Sequence, residues 1–128
     1  MDKRYEDLLK AAVTASKNSH SPYSGFSVGA ALLCKNGKVY CGCNIENASY
    51  PLGVCAERTA IFSAVAKGER EFEAIAIVGS SDDDFTKPCF PCGSCRQVMS
   101  EFCSDDFKIV LSDKVLTLGE LLPYAFRL

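Results

Sequence analysis

Val28-Gly29-Ala30-Ala31-Leu32-Leu33-Cys34, then Lys35-Asn36-Gly37-Lys38, then Val39-Tyr40-Cys41-Gly42-Cys43-Asn44-Ile45 is the stretch that decides the fold. The first run is almost wholly apolar, Asn-Gly is a strong two-residue turn signal, and the second run follows at once, so a β-hairpin is expected over 28–45. Upstream, Leu8, Leu9, Ala12 and Val13 fall three to five residues apart with charges between them, which predicts an amphipathic helix from Arg4 to Lys17. Downstream, Pro51 and Gly53 end the preceding segment, good helix formers run from Cys55 to Ala66, and Lys67-Gly68 stops them. Phe72 to Gly79 reads as a strand, followed by the acidic loop Ser80 to Lys87 and by Pro88-Cys89-Phe90-Pro91. A helix over Cys92–Phe102, a strand over Phe107–Leu111 and a short helix over Leu118–Leu122, stopped at Pro123, complete a mixed α/β pattern.

With 128 residues, no internal repeat and no linker-like run, residues 1–128 are expected to form a single domain. Fourteen Lys and Arg against 16 Asp and Glu give a net charge of −2 with no basic block, which argues against nucleic-acid binding, whose affinity is built on neutralised phosphates. A small substrate fits better. Met1-Asp2-Lys3-Arg4 is charged where a signal peptide would turn apolar, and Val28–Cys34 falls far short of the ~20 residues of a membrane span. Eight cysteines in a chain without export features read as reduced thiols or metal ligands, and a cytoplasmic location is expected.

The chemistry sits where two of the expected helices begin, at Cys55-Ala56-Glu57-Arg58 and at Pro91-Cys92-Gly93-Ser94-Cys95-Arg96-Gln97. A thiol near a helix N-terminus is favoured as thiolate, the form that binds metal. Cys92 and Cys95 can share one helix face, and Cys55 as a third ligand would leave one corner of a tetrahedral Zn²⁺ open, as in a catalytic site. The competing reading is a closed structural site with Cys89 or Cys103 as fourth ligand and Glu57 as an ordinary first-turn acid. Cys34, Cys41, Cys43, Cys89 and Cys103 otherwise read as packing residues, and the sole histidine, His20, as solvated. Cys55-x-Glu57 followed by Pro91-Cys92-x-x-Cys95 matches the three-cysteine form of the zinc deaminase signature, in which the Glu is an acid/base and not a ligand.

The chain resembles the small, homotetrameric cytidine deaminases of nucleoside salvage. The resemblance runs through Ser21-Pro22-Tyr23-Ser24-Gly25-Phe26-Ser27-Val28-Gly29-Ala30-Ala31-Leu32, Gly42-Cys43-Asn44-Ile45-Glu46-Asn47-Ala48-Ser49-Tyr50-Pro51, both cysteine segments and Glu120-Leu121-Leu122-Pro123. It implies a three-layer α-β-α fold with a mixed central sheet of about five strands. It also implies one Zn²⁺ per subunit on Cys55, Cys92 and Cys95, with Glu57 as the catalytic acid/base. By the same resemblance Asn44 and Glu46 hold the ribose hydroxyls, while Phe26, Ala56 and Tyr50 line the substrate pocket. Phe126 then matches a C-terminal aromatic that stacks on the base in a neighbouring subunit's site.

The residue types agree with a sugar site. Asn donates and accepts while ionised Glu only accepts, and two positions apart on a strand they would share a face. The expected reaction is hydrolytic deamination of cytidine, and of 2'-deoxycytidine, to the uridine product and ammonia, with Glu57 moving protons to N3 and to the leaving amine. Three thiolates make the centre anionic, so Arg58 and Arg96, each following a motif residue, are expected to offset that charge.

Overall fold

The structure, a computed structural model, describes all 128 residues. Helix α1 spans Lys3–Ser16, where Asp2 caps the first turn by accepting from the Arg4 N–H at 2.8 Å. Strands β1 (Ser27–Cys34) and β2 (Val39–Cys43) form the expected hairpin, closed at the turn by Gly37 N–H on the Cys34 carbonyl. There follow helix α2 (Ala56–Ala66), strand β3 (Phe72–Ser80), helix α3 (Gly93–Phe102), strand β4 (Lys108–Val110), strand β5 (Val115–Thr117) and helix α4 (Leu118–Leu121).

The five strands lie in the order β2-β1-β3-β4-β5. The β1–β2, β1–β3 and β4–β5 pairs are antiparallel and β3–β4 is parallel, so the sheet is mixed. Alternation along the strands sends two different surfaces to the two faces. Ala30 and Leu32 of β1 and Ile75 and Ile77 of β3 face one core together with Ile61 and Met99 from α2 and α3. Ala31, Ala74, Ala76 and Val78 face the other side, where small side chains let Leu8 and Ala12 of α1 pack closely. Helix α1 on one face and α2, α3 and the short α4 on the other make the three-layer α-β-α arrangement. The two faces are thereby distinct, with bulky aliphatics on the side that carries the cysteines.

Helix α2 is seated by an absent side chain. A Cβ at Gly42 would fall 2.5 Å from the Ala60 nitrogen and 2.6 Å from the Ala56 carbonyl oxygen, so only glycine lets α2 lie directly on β2. That contact brings the first turn of α2 to the end of the hairpin.

The structure shortens β2 relative to the sequence expectation of a strand running to Ile45. Beyond Cys43 the Asn44 side chain turns back to accept the Val28 N–H at 2.9 Å, and Ile45 pairs with Val54 and His20. Asn44 and Glu46 therefore come together through this crossing segment and not through strand alternation. Strand β5 and the 3-10 turn Tyr50–Leu52 were not expected, since three residues are too few to show a period. Helix α4 begins with a capping box between Thr117 and Glu120.

Candidate metal centre and active site

Cys55 and Cys92 are the residues immediately before α2 and α3, and Cys95 lies in the first turn of α3. Both cap positions are extended, and neither sulfur caps the backbone of its own helix, so the side chains are free to point between the two helix starts. The Sγ atoms of Cys55, Cys92 and Cys95 all lie within 4.8 Å of one another, with Cys55–Cys92 at 4.0 Å and Cys92–Cys95 at 3.5 Å. A tetrahedral zinc with bonds of ~2.3 Å separates its sulfurs by roughly 3.8 Å, so the three thiols fit the ion with little movement. Cys89 and Cys103 stay outside this group, which removes the closed four-cysteine alternative. The centre therefore offers three ligands and room for a fourth.

The cluster is primed to lose protons. Hydrogen bonds from Cys95 and then from Arg58 bring the Cys55 thiol down to about 5. Cys95, hydrogen-bonded to the Cys55 sulfur and buried, is pushed up and keeps its proton. Metal binding requires the thiolate form, so a cation held by the three sulfurs would be bound with release of their protons. Arg58, one turn along α2, donates through Nη2 to Cys55 Sγ at 3.2 Å and is itself driven further toward the charged form by that contact. Its Nε is buried with no hydrogen-bond partner.

Glu57 is 4% exposed in the first turn of α2. Burial, ahead of every other influence, raises its carboxyl above the ordinary range, and the adjacent Cys55 charge adds to the effect. A carboxyl raised by burial binds its proton more firmly than a solvated one, which suits a group that must take up a proton and pass it on.

Glu57 opens into a cavity of about 380 Å³ whose wall also includes Asn44, Glu46, Ala56, Cys55 and Cys92. That size lies within the roughly 300–1,000 Å³ of small-molecule sites. A second recess of about 290 Å³, walled by Tyr23, Ser24, Asn47 and others, shares Glu46, Tyr50 and Gly53 with it. Glu46 holds the border between the two. Its Oε1 accepts from the Tyr23 and Ser24 N–H groups at 3.0 and 3.1 Å and its Oε2 from the Ser24 hydroxyl, and the carboxyl is accordingly held below its ordinary value. The Asn44 amide accepts from Val28 N–H and from the Ser19 hydroxyl, and donates to the Phe26 carbonyl at 2.9 Å.

Phe26 packs on the end of β3. A Cβ at Gly79 would meet its Cε1 at 2.7 Å and the Cys89 sulfur at 2.8 Å, so the missing side chain lets ring and thiol rest on the strand backbone. Burial pushes Cys89 up to about 11, and it remains a neutral thiol in the cavity wall. Neither Gly79 nor Cys89 carries a sequence signal of this contact.

The structure does not bring every expected residue to the centre. Arg96 donates through Nε to the Pro91 carbonyl at 2.9 Å and through Nη1 to the Leu121 carbonyl at 2.7 Å. Its guanidinium braces the Pro91 turn against α4, whereas Arg58 is the arginine hydrogen-bonded to a sulfur of the cluster. Phe126 is 67% exposed, on a tail strapped to α3 by Gln97 on its carbonyl and by Arg127 on the Ser100 and Cys103 carbonyls. Tyr50 is 74% exposed and meets Tyr23 edge to face, with centroids 5.8 Å apart. His20 is exposed and joins the crossing segment through its backbone only.

Residues 2–111 match the family model of the cytidine and deoxycytidylate deaminase zinc-binding region. The chain is 50% identical over 124 residues to a cytidine deaminase of Halalkalibacterium halodurans, covering 93% of this chain and 91% of that one. It is 44% identical over 126 residues to a cytidine deaminase of Sporosarcina psychrophila, covering 94% and 90%. Among solved structures, the cytidine deaminase from Burkholderia pseudomallei superposes with a TM-score of 0.88 at 48% identity, covering 98% of this chain and 100% of that one.

Proposed function

Because the chain belongs to the cytidine and deoxycytidylate deaminase family, we propose that it is a zinc-dependent hydrolase converting cytidine and water to uridine and ammonia. The observation that carries this reading is the buried Glu57 carboxyl two residues from Cys55, a thiol of a three-sulfur cluster, both opening on one cavity. Cys55, Cys92 and Cys95 would hold the zinc. When bound, zinc supplies Lewis acidity that makes water a nucleophile at neutral pH. Glu57 takes the proton of the water that attacks C4 of the base, delivers it to N3, and carries the second proton to the exocyclic nitrogen as ammonia leaves. Arg58 draws charge from Cys55 and so preserves the acidity that three thiolates would otherwise cancel.

The nucleoside is the favoured substrate over its phosphate. Glu46, held ionised, lies where the two recesses meet, and Arg58 is engaged with Cys55. A phosphate at the sugar end would face a carboxylate with no free cation beside it. Glu46 and Asn44 suit the ribose hydroxyls, Phe26 and Ala56 the walls of the pocket, and Tyr50 its rim. The 2'-deoxy sugar is included in the proposed substrate range.

Phe126 and Tyr50 are large rings left exposed, Tyr50 at the edge of both recesses and Phe126 on the tail held to α3. They support a homotetramer in which Phe126 closes a neighbour's pocket, acting as a single domain over residues 1–128 in cytoplasmic pyrimidine salvage. No helix is long and apolar enough to cross a membrane. Ammonia release from cytidine, set beside cytidine 5'-monophosphate, tests the substrate reading. Release from the nucleoside supports it, and preference for the phosphate overturns it.

A further inference from the structure

We propose that Ser24 is a positioning residue that sets the enzyme's selectivity for sugars bearing hydroxyl groups; the inference rests on the deaminase reading above. Its hydroxyl joins two parts of the site that are 20 positions apart in sequence. Ser24 Oγ donates to Glu46 Oε2, and the same oxygen accepts the Phe26 N–H at 3.0 Å. The Phe26 peptide is held from its other side by Asn44 Nδ2 on its carbonyl at 2.9 Å. One hydroxyl therefore fixes the Phe26 backbone and the Glu46 carboxylate relative to each other.

The arrangement also determines what Glu46 has left to offer. An ionised carboxylate has about four lone-pair positions. Two on Oε1 are taken by the Tyr23 and Ser24 N–H groups and one on Oε2 by the Ser24 hydroxyl. The remaining position on Oε2 is the one available to a ligand hydroxyl, and Glu46 forms part of the wall of both recesses. Without the Ser24 hydroxyl, Oε2 would have two open positions and the carboxylate would be held through the two backbone bonds on Oε1 alone. Oε2 would then be free to swing about that anchor, and its aim toward the sugar would loosen while the charge stayed.

The discriminating readout is the ratio of kcat/KM for cytidine to that for 2',3'-dideoxycytidine, which keeps the 5' hydroxyl but lacks the 2' and 3' hydroxyls that Glu46 is proposed to hold. The ratio is measured in zinc-loaded wild type, Ser24→Ala and Ser24→Thr, with zinc content and thermal midpoint recorded for each. If dideoxycytidine turns over too slowly to follow, its inhibition constant against cytidine takes its place. Ser24→Ala is expected to lower the ratio roughly 10-fold, mainly through KM for cytidine, the scale of one hydrogen bond to a charged group. Ser24→Thr, which keeps the hydroxyl, is expected to restore most of it. A ratio in Ser24→Ala within twofold of wild type overturns the inference, whether both substrates suffer together or neither does. Wild type that leaves cytidine unchanged overturns instead the reading on which it rests.

Discussion

Arg58 Nη2 donates to Cys55 Sγ at 3.2 Å, one helical turn along α2. The contact places a permanent positive charge beside a sulfur whose thiol it helps to hold below the ordinary value. A three-thiolate zinc centre is anionic, and a guanidinium on one sulfur withdraws charge without displacing a ligand. Arg58→Ala is expected to lower kcat about 10–100-fold with zinc still bound at one per chain. Full activity in the zinc-loaded variant would remove the charge-balancing role.

Gly79 leaves room for Phe26 and Cys89 together. Gly79→Ala pushes a methyl into both, and overpacking of this kind costs about 1–3 kcal/mol. Because the ring is the softer neighbour, KM for cytidine should rise more than kcat falls. Adding Phe26→Leu, which shortens the obstructing ring, should recover part of the lost thermal stability. A Gly79→Ala protein with wild-type stability and KM would contradict the packing account.

The Glu46 carboxyl is held below its ordinary value first by the Ser24 hydroxyl and then by two backbone N–H groups. A depressed folded-state pKa contributes stability above the unfolded value, and the contribution is lost as pH falls through the folded one. Carbon-13 NMR of the side-chain carboxyl should therefore give a midpoint below 4.5, the reference value, moving up in Ser24→Ala. A midpoint at or above 4.5 in wild type would contradict the hydrogen-bond geometry.

Phe126 is largely exposed and is anchored by its backbone, so its ring contributes little to folding of one chain. Phe126→Ala should leave the unfolding free energy of the single chain almost unchanged, within about 0.5 kcal/mol. If the ring closes a neighbour's pocket, KM for cytidine rises several-fold in the assembled enzyme. An unchanged KM would detach Phe126 from the site.

Much of this was legible in the sequence for identifiable reasons. The hairpin announced itself through Asn36-Gly37, and the two metal half-motifs through thiols opening good helices at Cys55 and Cys92. The path of residues 44–46 was not, because Asn44 leaves the strand to serve the backbone of Val28 and Phe26, a tertiary demand with no local signature. Arg96 was misjudged on proximity alone: it follows Cys95 directly, yet adjacent helix positions point to different faces, and its fork finds two carbonyls instead. Arg58 was readable for the converse reason, lying three residues from Cys55 on the same helix. Ser24 was part of a recognisable segment, but its link between Phe26 and Glu46 exists only once the chain has folded.

The central claim is that Glu57 moves the protons of a hydrolytic deamination at the three-cysteine centre. The direct measurement is the ultraviolet absorbance change when zinc-loaded wild type and zinc-loaded Glu57→Gln each meet cytidine. Wild type should convert cytidine to uridine, and Glu57→Gln should be at least ~10²-fold slower at equal zinc content, the scale of positioned acid/base catalysis. Equal rates in the two proteins, or no conversion by folded wild type carrying zinc, would contradict the account.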